Sequence, residues 1–592
     1  MKLAVPYIGE LTELDARLMR LADFLGISCE MVALDNAVRH AEFLERAVSE
    51  ECSCCVVNPQ VLQQWAGVHV PPGLVNFLLS RFTHLLIYGL RVDAYHSELV
   101  SALSQNRLNA VEAIDGEHSM YTIGEHAKDI CEAFAGLAFG PVNRDNDHVL
   151  RPGGDEANMR SLISIGDRPF MAVVKNVGAQ VVAVASEDVA DLDTEVGDSP
   201  LREYFSRFMA YAMALRYIAG EECWRPCGKH ASVIIDDPLL RPSYGFLNFR
   251  TLLELMKQHN FQTTIAFIPY NCRRSRPSTV KAFRENPDRL SICFHGNDHT
   301  GAEFASTDPV RLHTMLHDAE RRIDLHTSLT RLECDRVMVF PQGRFSGEAM
   351  SQLKAHNFDA AVNTVSSPMH TQIALTLGDL AQPAVLRYEG FPLFLRKYSA
   401  RIQSDDVAFN LFFGRPNFVV EHHDIFRDPS HLIAAIAKIN SADPDVCWSS
   451  VGKAVSGAIL RRRTPGGVDW LRGYARTLRI TNRSGDRKRV VIEWCGTALR
   501  NGFESVQRNG MRTEGFEVDD AGVRGVVDLA AGVTETFSLV DRNPQSTPLS
   551  FGLRHKARAF VRRRLSEVRD NVVSKNPPLL ALAKTVQQKF RH

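Results

Sequence analysis

Between about residue 228 and residue 464 the chain repeats one pattern seven or eight times: a short apolar run, then a segment of helical periodicity. The runs are SVIIDD, TTIAFIP, LSICFHG, RVMVFPQ, DAAVNTV and NFVVEHH, with one or two more in VLRYEGFPLFLRKY. A strand that is apolar throughout is buried on both faces, and strands that alternate with helices pair in parallel. This many units in one block predict a closed β/α barrel over an open sheet.

The flanking segments read differently. From residue 1 to about 140, KLAVPYI, CEMVALD, CCVVNP, THLLIYGL and RLNAVEAI alternate with helical stretches such as LDARLMRLADFL, which predicts a parallel sheet with helices, a Rossmann-like α/β domain. PFMAVVKNVGAQVVAVAS reads as a hairpin closing that domain, and LREYFSRFMAYAMALRYIAG as a helix leading out of it. None of these strands is followed by a Gly-rich phosphate loop, so a nucleotide site has no support. After Pro465, period-two runs separated by turn residues predict a small β-sandwich. The expected division is thus an α/β multidomain chain: 1–222 Rossmann-like, 223–464 barrel, 465–545 sandwich, 546–592 a basic helical tail.

Lys+Arg and Asp+Glu balance at 69 each, which gives no argument for nucleic acid. No run approaches the roughly 18 apolar residues of a membrane span, and MKLAVPYIGELTELD does not read as an export signal, so the expected location is cytoplasmic. The 12 cysteines are scattered and predict buried thiols. Cys52, Cys54 and Cys55, and the pair Cys223 and Cys227, have no second half at zinc spacing. In the tail, eleven Lys and Arg between Arg554 and Arg591 face only Glu567 and Asp570, among Val, Leu and Phe at helical spacing. Such a helix suits either an anionic membrane surface, giving a membrane-associated protein, or packing on the barrel.

The ionisable residues gather where barrel strands end. Asp236 and Asp237 close the first strand, His295 and His299 follow the third, Pro341 and Gly343 the fourth, and His423 the last. All strands of a β/α barrel open their C-terminal ends on one face, so these residues converge. One Asp with two His makes a facial metal site, zinc by its donors, that leaves positions open. Asp237, His295 and His299 are the expected ligands. Asp236 is then the base that deprotonates water, and His423 the acid that protonates the leaving group. Strand alternation lets only one of His422 and His423 face the pocket, and the pattern favours His423.

IIDDP resembles the paired-aspartate motif of NodB-type polysaccharide deacetylases, HGNDH is similar to their His-Ser/Thr-x-x-His, and VVEHHD to their late Leu-x-x-His. The resemblance covers the central block only. It implies the family's deformed barrel, one divalent metal, hydrolysis of N- or O-acetyl groups on a sugar or glycan, and the residue roles above. Three positions depart. Pro238 replaces the usual Gly and should hold the preceding backbone extended. Gly296 replaces the Ser/Thr that would brace the metal loop. VFPQG keeps Pro341 and Gly343 but has Val339 where an Arg is usual, leaving Arg344 or Arg396 to orient Asp236.

Pro341, Gly343 and Arg344 are expected to touch substrate, and Phe340 and Tyr388 either form a sugar-stacking wall or belong to the core. His230 and Glu389 stay undecided. His313 and His317 share the His-x-x-x-His spacing within a helix, where a solvated or half-buried face is the expectation. Two other functions compete with deacetylation: a barrel glycosidase using paired carboxylates, which does not need the histidines, and a non-catalytic glycan-binding or assembly protein built on a degenerate barrel.

Overall fold

The computed structural model describes residues 2–34, 49–154, 158–197, 201–371, 373–496, 502–542, 548–576 and 578. It divides into two units. The first comprises Met1–Arg225, Thr376–Gly378 and Arg461–Val468; the second comprises Pro226–Leu375, Asp379–Leu460 and Asp469–His592.

The first unit is organised by a nine-stranded sheet. Ser28–Ala33, Lys2–Tyr7, Cys52–Val57, His84–Ile87 and Gln180–Val184 lie side by side in parallel. Arg168–Lys175 and then Met159–Ile165 continue it antiparallel, so the NVG segment does join a hairpin. At the strand ends, buried Asp15 accepts from Asn58 Nδ2 at 2.7 Å and from the Tyr88 hydroxyl, so this polar group is satisfied from within. Cys52, Cys54 and Cys55 are buried in their strand and in no disulfide, and burial raises the pKa of each.

In the second unit seven parallel strands close on themselves: β1 (His230–Asp236), β2 (Thr263–Phe267), β3 (Leu290–His295), β4 (Cys334–Val339), β5 (Ala360–Asn363), β6 (Phe391–Tyr398) and β7 (Asn417–Glu421). β1 pairs β2 from Val233↔Thr263 to Asp236↔Ala266 and pairs β7 from Ala231↔Asn417 to Ile235↔Glu421, which seals the ring. VLRYEGFPLFLRKY resolves into β6 and an antiparallel neighbour, Val385–Tyr388, that stays outside the ring. Helices between the strands start where the sequence supplies caps: Asn248 for Phe249–His259, Asp308 for Pro309–Thr330, Ser346 for Gly347–Ala355. Hydrophobic continuity in the strands and polar caps at the helix starts fix which ends point toward the mouth.

Beyond the barrel, Lys488–Cys495 pairs Asp469–Gly473 in parallel and Gly522–Leu529 antiparallel, while Thr534–Asp541 sits between Thr477–Thr481 and Phe503–Arg508 in a second sheet. Leu471, Leu478, Ile492, Trp494, Val506 and Phe537 from both sheets share one core. Arg476 ties this region to itself and to the barrel: its Nη2 pairs with Asp541 at 3.1 Å, and its backbone N donates to the Asp359 carbonyl.

The C-terminal helix, Leu553–Val568, continues through Val573 and packs on the barrel with its polar side. Ala559, Arg563 and Asp570 are buried, whereas Leu553 is 86% exposed, Leu565 64%, and Phe560, Val561, Val568 and Val572 52% each. This inverts the usual arrangement, in which a surface helix turns its apolar stripe inward. Among the described residues no helix is long and apolar enough to cross a membrane.

Candidate active site

Asp237 lies one residue beyond β1, His295 ends β3, and His299 follows four residues later. The structure brings one ligand atom of each within 4.8 Å of the others, the one such grouping of three or more among the described residues. Asp237 Oδ1 is 3.1 Å from His295 Nε2 and 3.2 Å from His299 Nε2. His295 Nδ1 bonds the Val339 carbonyl at 3.0 Å, which fixes the ring and leaves Nε2 as the inward lone pair. Val339 thus serves the site through its backbone. In the neutral ring Nε2 and a carboxylate oxygen then face each other as two acceptors, and among the described residues Oδ1 has no other hydrogen-bond donor.

The electrostatics agree. Burial lowers the His299 pKa to about 4, helped by His295 and opposed by Asp237, so the ring is neutral and ready to ligate. Burial also lowers His295, but Asp237 outweighs it and the net shift is upward, the sign of a place that draws positive charge. Burial works against the Asp237 carboxylate, yet His299, His295 and Arg563 hold it well below the usual range. One carboxylate and two imidazoles with open positions fit a divalent ion, zinc among them.

Asp237 has φ +78° and His299 φ +58°. The expectation that Pro238 would keep Asp237 extended is therefore wrong. Strand pairing of β1 up to Asp236 and a hydrogen bond from Asp237 N to Ala266 O hold the residue where a free X-Pro unit would not sit.

Asp236 is the other carboxylate of the pair. Both its oxygens accept from Arg396, Oδ1 from Nη1 and Oδ2 from Nη2, each at 2.7 Å, with both side chains buried. Burial pushes the Asp236 carboxyl up, but Arg396 and His295 outweigh it and hold it below the ordinary range. Of the two arginines proposed for this task Arg396 performs it, and Arg344 is exposed.

Gly296 has a different role from the one its lost hydroxyl suggested. A Cβ there would lie 2.1 Å from Glu303 Oε1 and 2.4 Å from the Pro341 ring, and its φ is +64°. Glu303, which sequence reasoning missed, braces the loop instead: Oε1 accepts from the backbone N of Asn297 at 2.7 Å and of His299 at 3.2 Å. Burial and the neighbouring Asp298 raise its carboxyl. Pro341 packs against this brace, and Gly343, at φ +67°, turns the chain after it.

His423 is buried beside Tyr244 and Phe246, with ring centroids 5.5 and 6.5 Å away. Its Nε2 is 3.5 Å from Asp570 Oδ1, and among the described residues its buried Nδ1 has no hydrogen-bond partner. A Cβ on Gly245 would fall 2.2 Å from Nδ1, so glycine makes the room. His422 turns the other way and stacks on Tyr398.

Asp570 comes from the C-terminal helix and accepts from the Tyr244 hydroxyl at 2.7 Å and from Arg569 Nε at 2.6 Å. Burial opposes its charge, but hydrogen bonds from His423, Arg569 and Tyr244 bring it down to about 2. The same helix reaches the loop between His295 and His299, where His555 Nε2 lies 2.7 Å from Asp298 Oδ2.

Other candidates fall elsewhere. Phe340 stacks on Phe345 at 5.1 Å and Tyr388 meets the same ring edge-on, all three buried, so they are core and not a sugar-stacking wall. His230 begins β1, at the opposite end of the barrel, and Glu389 is an exposed turn residue. His313 is buried, not solvated: it bonds His356 at 2.9 Å, which bonds Glu320 at 2.8 Å, while His317 is exposed.

No family model matches the sequence, and no curated relative matches it. Solved structures do. The carbohydrate deacetylase Agd3 aligns over 93% of this chain and 99% of its own at 9% identity, TM-score 0.47. A putative polysaccharide deacetylase from Mycobacterium smegmatis aligns over 38% and 88% at 14% identity, TM-score 0.28. A family 4 carbohydrate esterase from Streptomyces lividans, in complex with acetate, aligns over 38% and 92% at 13% identity, TM-score 0.22. Matches this distant leave the chemistry to be argued from the side chains.

Two measurements probe the site. Arg396→Met leaves the Asp236 charge buried alone, and unfolding free energy by denaturant titration should fall by about 3–5 kcal/mol, the typical cost of breaking a buried pair. The Asp570 carboxyl is depressed, so its contribution to docking the helix is present above the unfolded value of about 3.9 and is lost as pH falls toward about 2. Hydrogen exchange across 553–573 should lose protection over that window, and Asp570→Asn should show the loss already at about pH 5, above the native transition.

Proposed function

We propose that the chain is a metal-dependent hydrolase that removes acetyl groups from a carbohydrate, with a single divalent ion, zinc by its donor set, held by Asp237, His295 and His299. The observation that carries this reading is the division of labour between adjacent carboxylates. Asp236 is held ionised by Arg396, and Asp237 is turned toward two imidazoles without a donor on Oδ1. A divalent ion bound there would supply Lewis acidity to the acetyl carbonyl and acidify water.

The protein's own groups do the rest. Asp236, oriented through both oxygens, takes the proton of the attacking water on an Oδ lone pair that Arg396 leaves available. His423 gives a proton to the leaving nitrogen or oxygen, and Asp570 beside Nε2 stabilises the charged ring. Tyr244 and Phe246 hold that ring in place. A glycosidase needs two carboxylates on opposite sides of a bond, at about 5–9.5 Å; here they are neighbours in sequence and one is committed to the histidines. The case for a degenerate, non-catalytic barrel rested on a missing Arg and a missing hydroxyl, whose tasks Arg396 and Glu303 take over.

Metal analysis beside acetate release from N-acetyl sugars tests the assignment. Asp237→Ala should lose both metal and turnover. Asp236→Asn and His423→Ala should keep the metal and lose about 100-fold to 10,000-fold in turnover. Metal lost with Asp236→Asn would reverse the two aspartates.

The membrane option for the tail belongs to the outward stripe of Leu553, Phe560, Val561, Leu565, Val568 and Val572, flanked by exposed Arg554, Lys556, Arg558 and Arg564. Apolar side chains at this spacing enter an interface while each basic neighbour adds about 1 kcal/mol against anionic lipid. Deleting the tail would also strip Asp570 from His423, so point changes are the cleaner test. Leu565→Glu with Val568→Glu should abolish salt-sensitive sedimentation with phosphatidylserine vesicles and leave acetate release from a soluble sugar unchanged; wild-type sedimentation of the double variant would end this reading.

A further inference from the structure

One buried charge on the C-terminal helix is not used by the chemistry above. The inward face of that helix runs His555, Ala559, Arg563, Glu567 and Asp570, at spacings of three and four residues. The helix is pinned on both sides of the barrel mouth. His555 holds Asp298 in the metal loop, Glu567 pairs with Arg274 at 2.6 Å, Asp570 holds Tyr244, and the Asn571 side chain accepts from Gly245 N at 3.0 Å. At about 1.5 Å per residue, Arg563 sits some 12 Å along the axis from His555 and 10 Å from Asp570, midway across the mouth.

Arg563 is 4% exposed, and among the described residues its Nη1 has no hydrogen-bond partner. Its charge is felt at both Asp237 and His299. Yet no ion pair joins it to Asp237 among the described residues, and Asp237 Oδ1 is itself without a donor. A guanidinium is not taken out of water without something to bind, and its planar fork matches carboxylate and phosphate. Arg396 and Arg569 already have their carboxylates, Asp236 and Asp570; among the described residues no ion pair is formed by Arg563. With a divalent ion on Asp237 and the histidines, Arg563 would face a second positive charge, and a negative group lying between them satisfies both.

We propose that Arg563 holds an oxyanion, so that the C-terminal helix adds to the barrel mouth a subsite for a carboxylate or phosphate next to the scissile acyl group. Two sources share this chemistry: an acidic substituent on the substrate, and the acetate released from it. The anion site stands on Arg563 alone; only the identity of its ligand rests on the deacetylase reading.

Calorimetric titration of the metal-stripped full-length chain with inorganic phosphate reads the site without turnover. Wild type should bind, R563M should bind at least tenfold more weakly, and R563K, which keeps the charge, should stay within a few-fold. R250M, at an arginine whose side chain is 91% exposed on a barrel helix, should match wild type. If R563M fails to fold, R563Q replaces it with the same expectation. The metal-loaded enzyme then distinguishes the sources, using two N-acetyl sugars that differ by a carboxylate. A ten- to hundredfold fall in kcat/KM for R563M on the acidic sugar, with the neutral one within twofold, assigns the oxyanion to the substrate. A tenfold or greater weakening of acetate inhibition in R563M on both sugars, with kcat/KM within twofold, assigns it to acetate. Phosphate binding that is absent from wild type, or as tight in R563M as in wild type, overturns the proposal. Arg563-dependent phosphate binding without acetate release from any sugar overturns the deacetylase reading and leaves the anion site standing.

Discussion

The bidentate pair between Arg396 on β6 and Asp236 on β1 is the interaction on which the mouth of the barrel depends. It reaches across β7, which lies between those strands, and so clasps three of the seven. It also solves an electrostatic problem. Two adjacent carboxylates at the end of one buried strand would drive each other toward the neutral form. With Asp236 neutralised by a guanidinium, Asp237 is left to the imidazoles, and each keeps its charge. Everything else in the site adjusts around this: the positive φ at Asp237, the His295 ring fixed through Val339, and the Glu303 brace that shapes the following loop.

How much of this was legible depends on whether a residue acts locally. Asp236, Asp237, His295, His299 and His423 could be found because barrel strands share an open end, so position along a strand stands in for position in space. Arg396 lies on a strand as well, but sequence spacing does not tell which arginine bridges over β7, and it stayed one of two. Glu303 gave no signal because its task is to accept backbone N–H groups, which any sequence supplies. Pro238 misled because a dipeptide preference was outweighed by strand pairing. Asp570 was hidden by distance along the chain, about 150 residues from His423 and more than 300 from Tyr244, and Arg563 lies on the same helix.

The tail helix illustrates a further limit. Periodicity shows that a helix has two faces and says nothing about which one is inside. The default puts the apolar face inward. Here the surface it covers is the polar mouth of a barrel, and the default fails: charges go in and Leu, Phe and Val stay out.

Because that helix supplies one wall of the site, the order in which the polypeptide emerges from the ribosome matters. The barrel strands come first, and Arg563 and Asp570 follow Asp237 by about 330 residues. The ring closes only with β7, which ends at Glu421, so at about 5–20 residues per second a folded barrel would wait about 140 residues, roughly 7–28 s, with the paired carboxylates and histidines of the candidate site open at the mouth. A chain cut short after the second small sheet would stay in that condition, with most of its hydrophobic core and an open, cation-hungry cleft.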